Sequence, residues 1–279
     1  MPPEYSCYGL APAAPELRCS LVLPGPGFHP YPRPTMRLTV IGCGDAFGSG
    51  GRQQSSYLVE ADDRLFLLDC GPSALPAMKR SGLDPTQLDA IILSHLHGDH
   101  FGGIPFFLIE YLYQKAPDSP VTIAGPPGTE DRVRRLFDIM YGSGKNRPER
   151  LPIDFEILRP AIAQIIKGIE VFPFRVPHQT EDISLALKIA YQGKRILFSG
   201  DSAWTDLFIE HARGMDLFLC ECSFYLEQPG MHVNYQVLQA NLHRLECKKL
   251  VLTHLGEDML ARRSELPITF AEDGMTMDI

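Results

Sequence analysis

His95-Leu96-His97-Gly98-Asp99-His100 follows directly on the apolar run Ala90-Ile91-Ile92-Leu93. Three histidines and an aspartate within six residues are hard to explain by packing. A strand end followed by a turn lets side chains of unlike direction converge on one point. Imidazole and carboxylate are the donors that zinc and similar divalent ions take. The segment therefore reads as half of a metal centre at the end of a buried strand.

Working outward, further polar residues stand in matching places. Asp69 follows Leu67-Leu68, His178 lies in the loop Val176-Pro177-His178-Gln179-Thr180, and Asp201 follows the strand Arg195-Ile196-Leu197-Phe198. His254 ends the apolar run Val251-Leu252-Thr253. Strand ends and adjacent loops are where a rigid scaffold presents side chains to one site.

Alternation and turn residues predict strands near 36–42, 55–61, 64–69, 90–93, 121–124, 153–158, 169–175, 183–190, 194–198, 215–221 and 249–253. Helices are predicted near 73–81, 129–141, 203–212 and 234–245. Antiparallel hairpins with helices between them imply an α/β sandwich, two mixed sheets face to face with helices on the outer faces. Residues 1–35 differ, with nine prolines and little periodicity, and read as a disordered or extended arm. The hydrolase domain is then 36–279. The abrupt change at Met36 makes it a candidate translation start, which N-terminal sequencing of native protein would check.

The net charge of −8 is the wrong sign for a broad nucleic-acid-binding surface. Arg132, Arg134, Arg135, Lys145, Arg147 and Arg150 form a local basic cluster, read as a solvated helix face and loop. No run approaches the roughly 18 apolar residues of a membrane helix, and no secretion signal is visible. Seven scattered cysteines do not resemble a disulfide framework, and Cys220 and Cys222 read as buried, unpaired thiols. A cytoplasmic enzyme is expected.

The order HxHxDH, then His178, Asp201 and His254, resembles the metallo-β-lactamase superfamily over nearly all of residues 36–256. That resemblance implies two divalent ions, zinc first, with manganese or iron able to use the same donors. It places one ion on His95, His97 and His178, and another on Asp99, His100 and His254, with Asp201 bridging both. Asp69 would orient a ligand rather than bind metal. Lactam-cleaving members carry cysteine or serine at the bridging position, so Asp201 points to hydrolases of phosphodiesters, thioesters and lactones.

Within these, Ala124-Gly125-Pro126-Pro127-Gly128-Thr129 and Cys220-Glu221-Cys222-Ser223 followed by His232 resemble the ribonuclease Z branch. The resemblance makes Glu221 and His232 a pair that assists the leaving group, and Asp99 a further catalytic carboxylate. Two departures stand out: Cys220 replaces the branch's histidine, and His178 and Asp201 are only 23 residues apart. The branch's long tRNA-binding arm has no room there. A small-molecule or short phosphodiester is expected, cleaved by a hydroxide shared between the metals. RNA and true tRNA 3′ processing are disfavoured, a thioester or lactone is the alternative bond, and a homodimer is expected by resemblance alone.

Gly42-Cys43-Gly44-Asp45-Ala46-Phe47-Gly48 superficially resembles a dinucleotide-binding loop, but no helix follows it to hold a pyrophosphate. It reads as a flexible loop at the rim of the site, with Asp45 facing inward. His29, His211 and His243 read as surface or structural residues.

Overall fold

Side chains along a strand alternate between faces, and here the alternation sorts them into two apolar layers. The structure, a computed structural model, describes residues 36–142, 150–226 and 231–279. The proline-rich arm, Lys145 and Arg147 lie outside the described residues. The strands are β1 (Arg37–Gly42), β2 (Ser56–Ala61), β3 (Arg64–Leu68), β4 (Ala90–Ile92), β5 (Val121–Gly125), β6 (Ile153–Ile157) and β7 (Gln164–Ile166). They continue as β8 (Ile169–Arg175), β9 (Leu185–Tyr191), β10 (Lys194–Phe198), β11 (Leu217–Glu221), β12 (Leu250–Thr253), β13 (Thr269–Phe270) and β14 (Thr276–Asp278). The helices are α1 (Ala74–Arg80), α2 (Gly98–Phe101), α3 (Ile104–Tyr113), α4 (Thr129–Tyr141), α5 (Leu207–Ala212), α6 (Tyr235–Asn241) and α7 (Glu257–Arg262).

Among the described residues the strands form two seven-stranded sheets, β14-β1-β2-β3-β4-β5-β6 and β13-β12-β11-β10-β9-β8-β7. In the first, β1 to β3 pair antiparallel and β3 to β6 parallel. The second repeats the scheme, antiparallel from β7 to β10 and parallel from β10 to β13. Phe66 and Leu68 of β3 join Ile196 and Phe198 of β10 in the layer between the sheets. Leu67, between them in sequence, faces α1, α3 and α4. Leu197 faces α5, α6 and α7 on the far side. The sandwich of two mixed sheets with helices outside is the architecture expected from the sequence.

Tyr57 ties the two sheets together. Its ring packs edge-on to Phe198 at 5.3 Å, and its hydroxyl meets the Thr253 hydroxyl at 2.5 Å. A fully buried phenol needs such a partner, because an unmet hydroxyl would cost about 1–3 kcal/mol.

The structure adds elements that the sequence reading lacked: α2, α3, α7, β7, β13 and β14. Helix α5 starts at Leu207 rather than near 203: residues 202–205 form no helix or strand, and Ala203 donates to the Pro177 carbonyl. The rim loop carries hydrogen bonds of its own. It is tied internally by Asp45, which accepts from the backbone of Phe47 and Ser49 and from the Ser49 hydroxyl. In the basic cluster, Arg134 and Arg135 pair with Glu130 and Asp131 one turn earlier on α4, and Arg132 pairs with Asp182.

Candidate metal centre

The carboxyl ends of β3, β4, β10, β11 and β12 open toward one place and deliver Asp69, His95, Asp201, Glu221 and His254. The chain leaves β4 through His95 and extended His97, then enters the single turn α2. That turn brings Asp99 and His100 round to the same point. Asp69 and His254 both sit at positive φ, 56° and 57°. Non-glycine residues tolerate this left-handed backbone only where the surroundings hold them there. Gly200 has φ of 56°, and a Cβ there would lie 2.7 Å from the Ser94 Cβ and 2.8 Å from the Leu185 carbonyl oxygen. Glycine at 200 thus lets the Asp201 loop close onto the His95 strand.

Two four-membered groups of donor atoms result, beside a third made of Glu221, His232 and His254: His95, His97, His178 and Asp201, and Asp99, His100, Asp201 and His254, the donor atoms of each group lying within 4.8 Å of one another. Asp201 belongs to both. Its Oδ2 lies 3.9 Å from His95 Nε2 and 3.8 Å from His178 Nε2. The same oxygen lies 3.2 Å from His100 Nε2 and 3.4 Å from His254 Nε2. Four donors around an ion at about 2.0–2.1 Å stand roughly 3.3 Å apart, so these spacings suit metal binding.

The second nitrogen of most of these rings is held. His100 Nδ1 meets Asp69 Oδ2 at 2.7 Å, and His95 Nδ1 meets the Ser94 hydroxyl at 3.0 Å. Asp69 in turn accepts from the Ser94 backbone and hydroxyl, both at 2.7 Å. His178 Nδ1 donates to the Met231 carbonyl at 2.9 Å, and His254 Nδ1 lies 3.0 Å from the Ser223 hydroxyl. Such contacts fix the tautomer that leaves Nε2 with a lone pair. His95 Nε2 and His100 Nε2 are buried and have no hydrogen-bond partner. His100 Nε2 is within ion-pair distance of two carboxylates but not aligned to hydrogen-bond with either, as a metal donor would be.

Charge makes the same point. Asp69, Asp201 and Glu221 are buried, and Asp99 is partly so. Burial would raise Asp201, but His100, His254 and His95 hold it well below the usual carboxylate range. Burial pushes His95 well below the ordinary histidine value, helped by the neighbouring His100. An ionised Asp201 beside a neutral His95 offers donors to a cation.

Beside this cluster stands the pair expected to aid the leaving group. His232 Nδ1 lies 2.8 Å from Glu221 Oε1. Glu221 also accepts from Ser202 N, Ser223 N and the Ser223 hydroxyl, so its oxygens are fully used. Burial opposes charge on His232, yet the Glu221 hydrogen bond and charge prevail and raise it to about 9. The cluster opens into a cavity of about 640 Å³ whose walls include His97, Asp99, His178, His232 and His254.

Asp69 is hydrogen-bonded to His100. Asp45 lines the cavity, while His211 packs on Phe174 away from it. Ser94, Ser223 and the Met231 carbonyl were missed. Ser94 could have been suspected from its place before His95, but the other two approach only through the fold. Among the described residues the five cysteines, Cys220 and Cys222 among them, are free, and no helix is long and apolar enough to cross a membrane.

Known proteins show the same architecture. Probable metallo-hydrolase YhfI of Bacillus subtilis is 26% identical over 227 residues, covering 79% of this chain and 87% of that one. The crystal structure of that metallo-β-lactamase fold protein superposes with TM-score 0.70 at 23% identity, over 87% and 99% of the two chains. Human tRNase Z, short form, gives 0.69 at 23% identity over 87% and 99%. A diphosphatase from the PhnP family gives 0.70 at 21% identity over 88% and 98%. The fold is that of the metallo-β-lactamases, and homologues make the chain a metal-dependent hydrolase. The family model described as Anti-Pycsar protein Apyc1 matches residues 36–277, and the chain belongs to that family.

Proposed function

We propose that this hydrolase is a dinuclear phosphodiesterase acting on a small or short diester. The observation that carries the dinuclear reading is Asp201 Oδ2, shared between the two donor groups. His95, His97 and His178 would hold one ion, and Asp99, His100 and His254 the other. Zinc is the first choice, since nitrogen and carboxylate donors suit it. When bound, two such ions supply Lewis acidity and lower the pKa of water.

The remaining roles belong to the chain. Asp69 holds His100, and Ser223 holds His254. His232 keeps a proton on a ring aimed at the cavity, with Glu221 fixing its other nitrogen. A protonated imidazole there suits donation to a leaving alkoxide, a contribution of about 10²–10⁴ in rate. Asp99 adds a carboxylate oxygen to the cavity wall.

Several features favour a small diester over tRNA. Between His178 and Asp201 the chain forms only the β9–β10 hairpin, with no inserted arm. Among the described residues lining the cavity, none is lysine or arginine. A polyanion would find little to neutralise it outside the metal centre. The neighbours named as a diphosphatase and a tRNase Z support phosphoryl chemistry over thioester or lactone cleavage. Free thiols support a reducing, cytoplasmic setting. A panel of bis-aryl phosphate, thioester and lactone tests the reading. Diester turnover is expected, whereas turnover of the thioester alone would reject the reading. On a diester with an alkoxide leaving group His232→Ala should cost at least a hundredfold, and on the bis-aryl phosphate far less, because an aryl oxide leaves with little help from an acid.

A further inference from the structure

Phe47 is 90% exposed. Single exposed apolar residues are ordinary on protein surfaces, so exposure alone decides nothing. Three further observations set this one apart. Phe47 lines the same cavity as His97, Asp99 and His254. The loop that carries it is also fastened at three points. Its tip is tied by Asp45, which accepts from Phe47 N at 3.2 Å and Ser49 N at 2.9 Å. Its far side is tied by Glu257, which accepts from Gly50 N at 2.9 Å. Its neck is tied by Asp273, which accepts from Cys43 N at 3.1 Å and Gln53 N at 2.8 Å. A fastened backbone leaves only the ring's own rotamers to settle on binding, which lowers the cost of binding.

The third observation is the chemistry of the cavity. Phe224 lines it too, with its ring 6.0 Å from that of His232. The side where a leaving group would take its proton is thus already occupied by Phe224 and His232. Glu257 and Asp258 add acidic groups to the wall, and no described lysine or arginine offsets them. A second phosphate would be repelled there, whereas a flat uncharged group would meet an aromatic face.

We infer that Phe47 is a specificity-determining residue that stacks on a planar, uncharged substituent retained on the phosphorus after cleavage. The inference rests on the diesterase reading. It selects, among small diesters, those with a flat substituent over those with an alkyl one.

Two substrates with the same leaving group test it: phenyl p-nitrophenyl phosphate and methyl p-nitrophenyl phosphate. Both carry one negative charge, so only the retained group differs. The metal-loaded wild type should prefer the phenyl ester in kcat/KM. Phe47→Ala should cut that preference about tenfold, mainly through KM, and Phe47→Trp should restore most of it. An unchanged preference in Phe47→Ala overturns the inference, as does an equal loss on both esters. Loss of a dimer by Phe47→Ala in size-exclusion chromatography, with the preference intact, would assign the ring to a subunit interface instead. Failure of the wild type on both esters would reject the diesterase reading itself, and the inference with it.

Discussion

Asp69 binds no candidate ion, yet it holds the site's geometry. Its carboxylate takes the Nδ1 of His100 and, through the Ser94 hydroxyl, steadies His95. Asp69→Asn keeps the shape but replaces one acceptor oxygen by an amide. Metal affinity should fall about 10–100-fold while the fold persists, as chelator competition and circular dichroism would show. His232 permits a pH prediction of definite sign. Its pKa is about 9 in the folded chain against an ordinary 6.5. Pairing with Glu221 therefore stabilises the fold fully below pH 6.5, and the benefit is lost as pH rises through 9. In chelator-treated protein, the melting-temperature gap between wild type and His232→Gln should narrow from pH 6 to pH 10. A gap that widened would contradict the assignment.

At the scale of elements, Gly200 is where one backbone position matters most. Gly200→Ala places a Cβ against Ser94 and the Leu185 carbonyl at positive φ. The cost should be about 2–4 kcal/mol in denaturant unfolding, with metal binding weakened alongside. Elements were legible in the sequence where one face is buried and the other is not. Strand β8 and the amphipathic α4 announce themselves in that way. Helix α3 does not, because Glu110 is the single charged residue in Ile104-Pro-Phe-Phe-Leu-Ile-Glu-Tyr-Leu-Tyr113. A helix apolar on nearly every side carries no period to read. Strands β13 and β14 are two and three residues long, too short for alternation to speak. The candidate ligands were legible because each ends a strand or a short motif. Their supports were less so: the Met231 carbonyl reaches His178 from 53 residues away, through a loop without a signature.

At the scale of the whole molecule, the donor groups draw on both sheets. His95, His97, Asp99 and His100 follow a strand of the first sheet, while His178, Asp201 and His254 follow strands of the second. Ions bound between them would fasten the halves of the sandwich, and binding to the folded state alone stabilises it by mass action. At one hundred times the dissociation constant that is about 2.7 kcal/mol. Chelation should accordingly lower the melting temperature by roughly 5–10 °C. The central claim is two ions sharing Asp201 in a diester-cleaving site. Metal-to-protein ratio measured together with diester turnover, in wild type and Asp201→Ala, tests it most directly. The expected result is two ions per wild-type chain, turnover that follows the loading, and loss of both ions and turnover in the variant. Two firmly bound ions in Asp201→Ala, or a fully loaded wild type that leaves diesters intact, would contradict it.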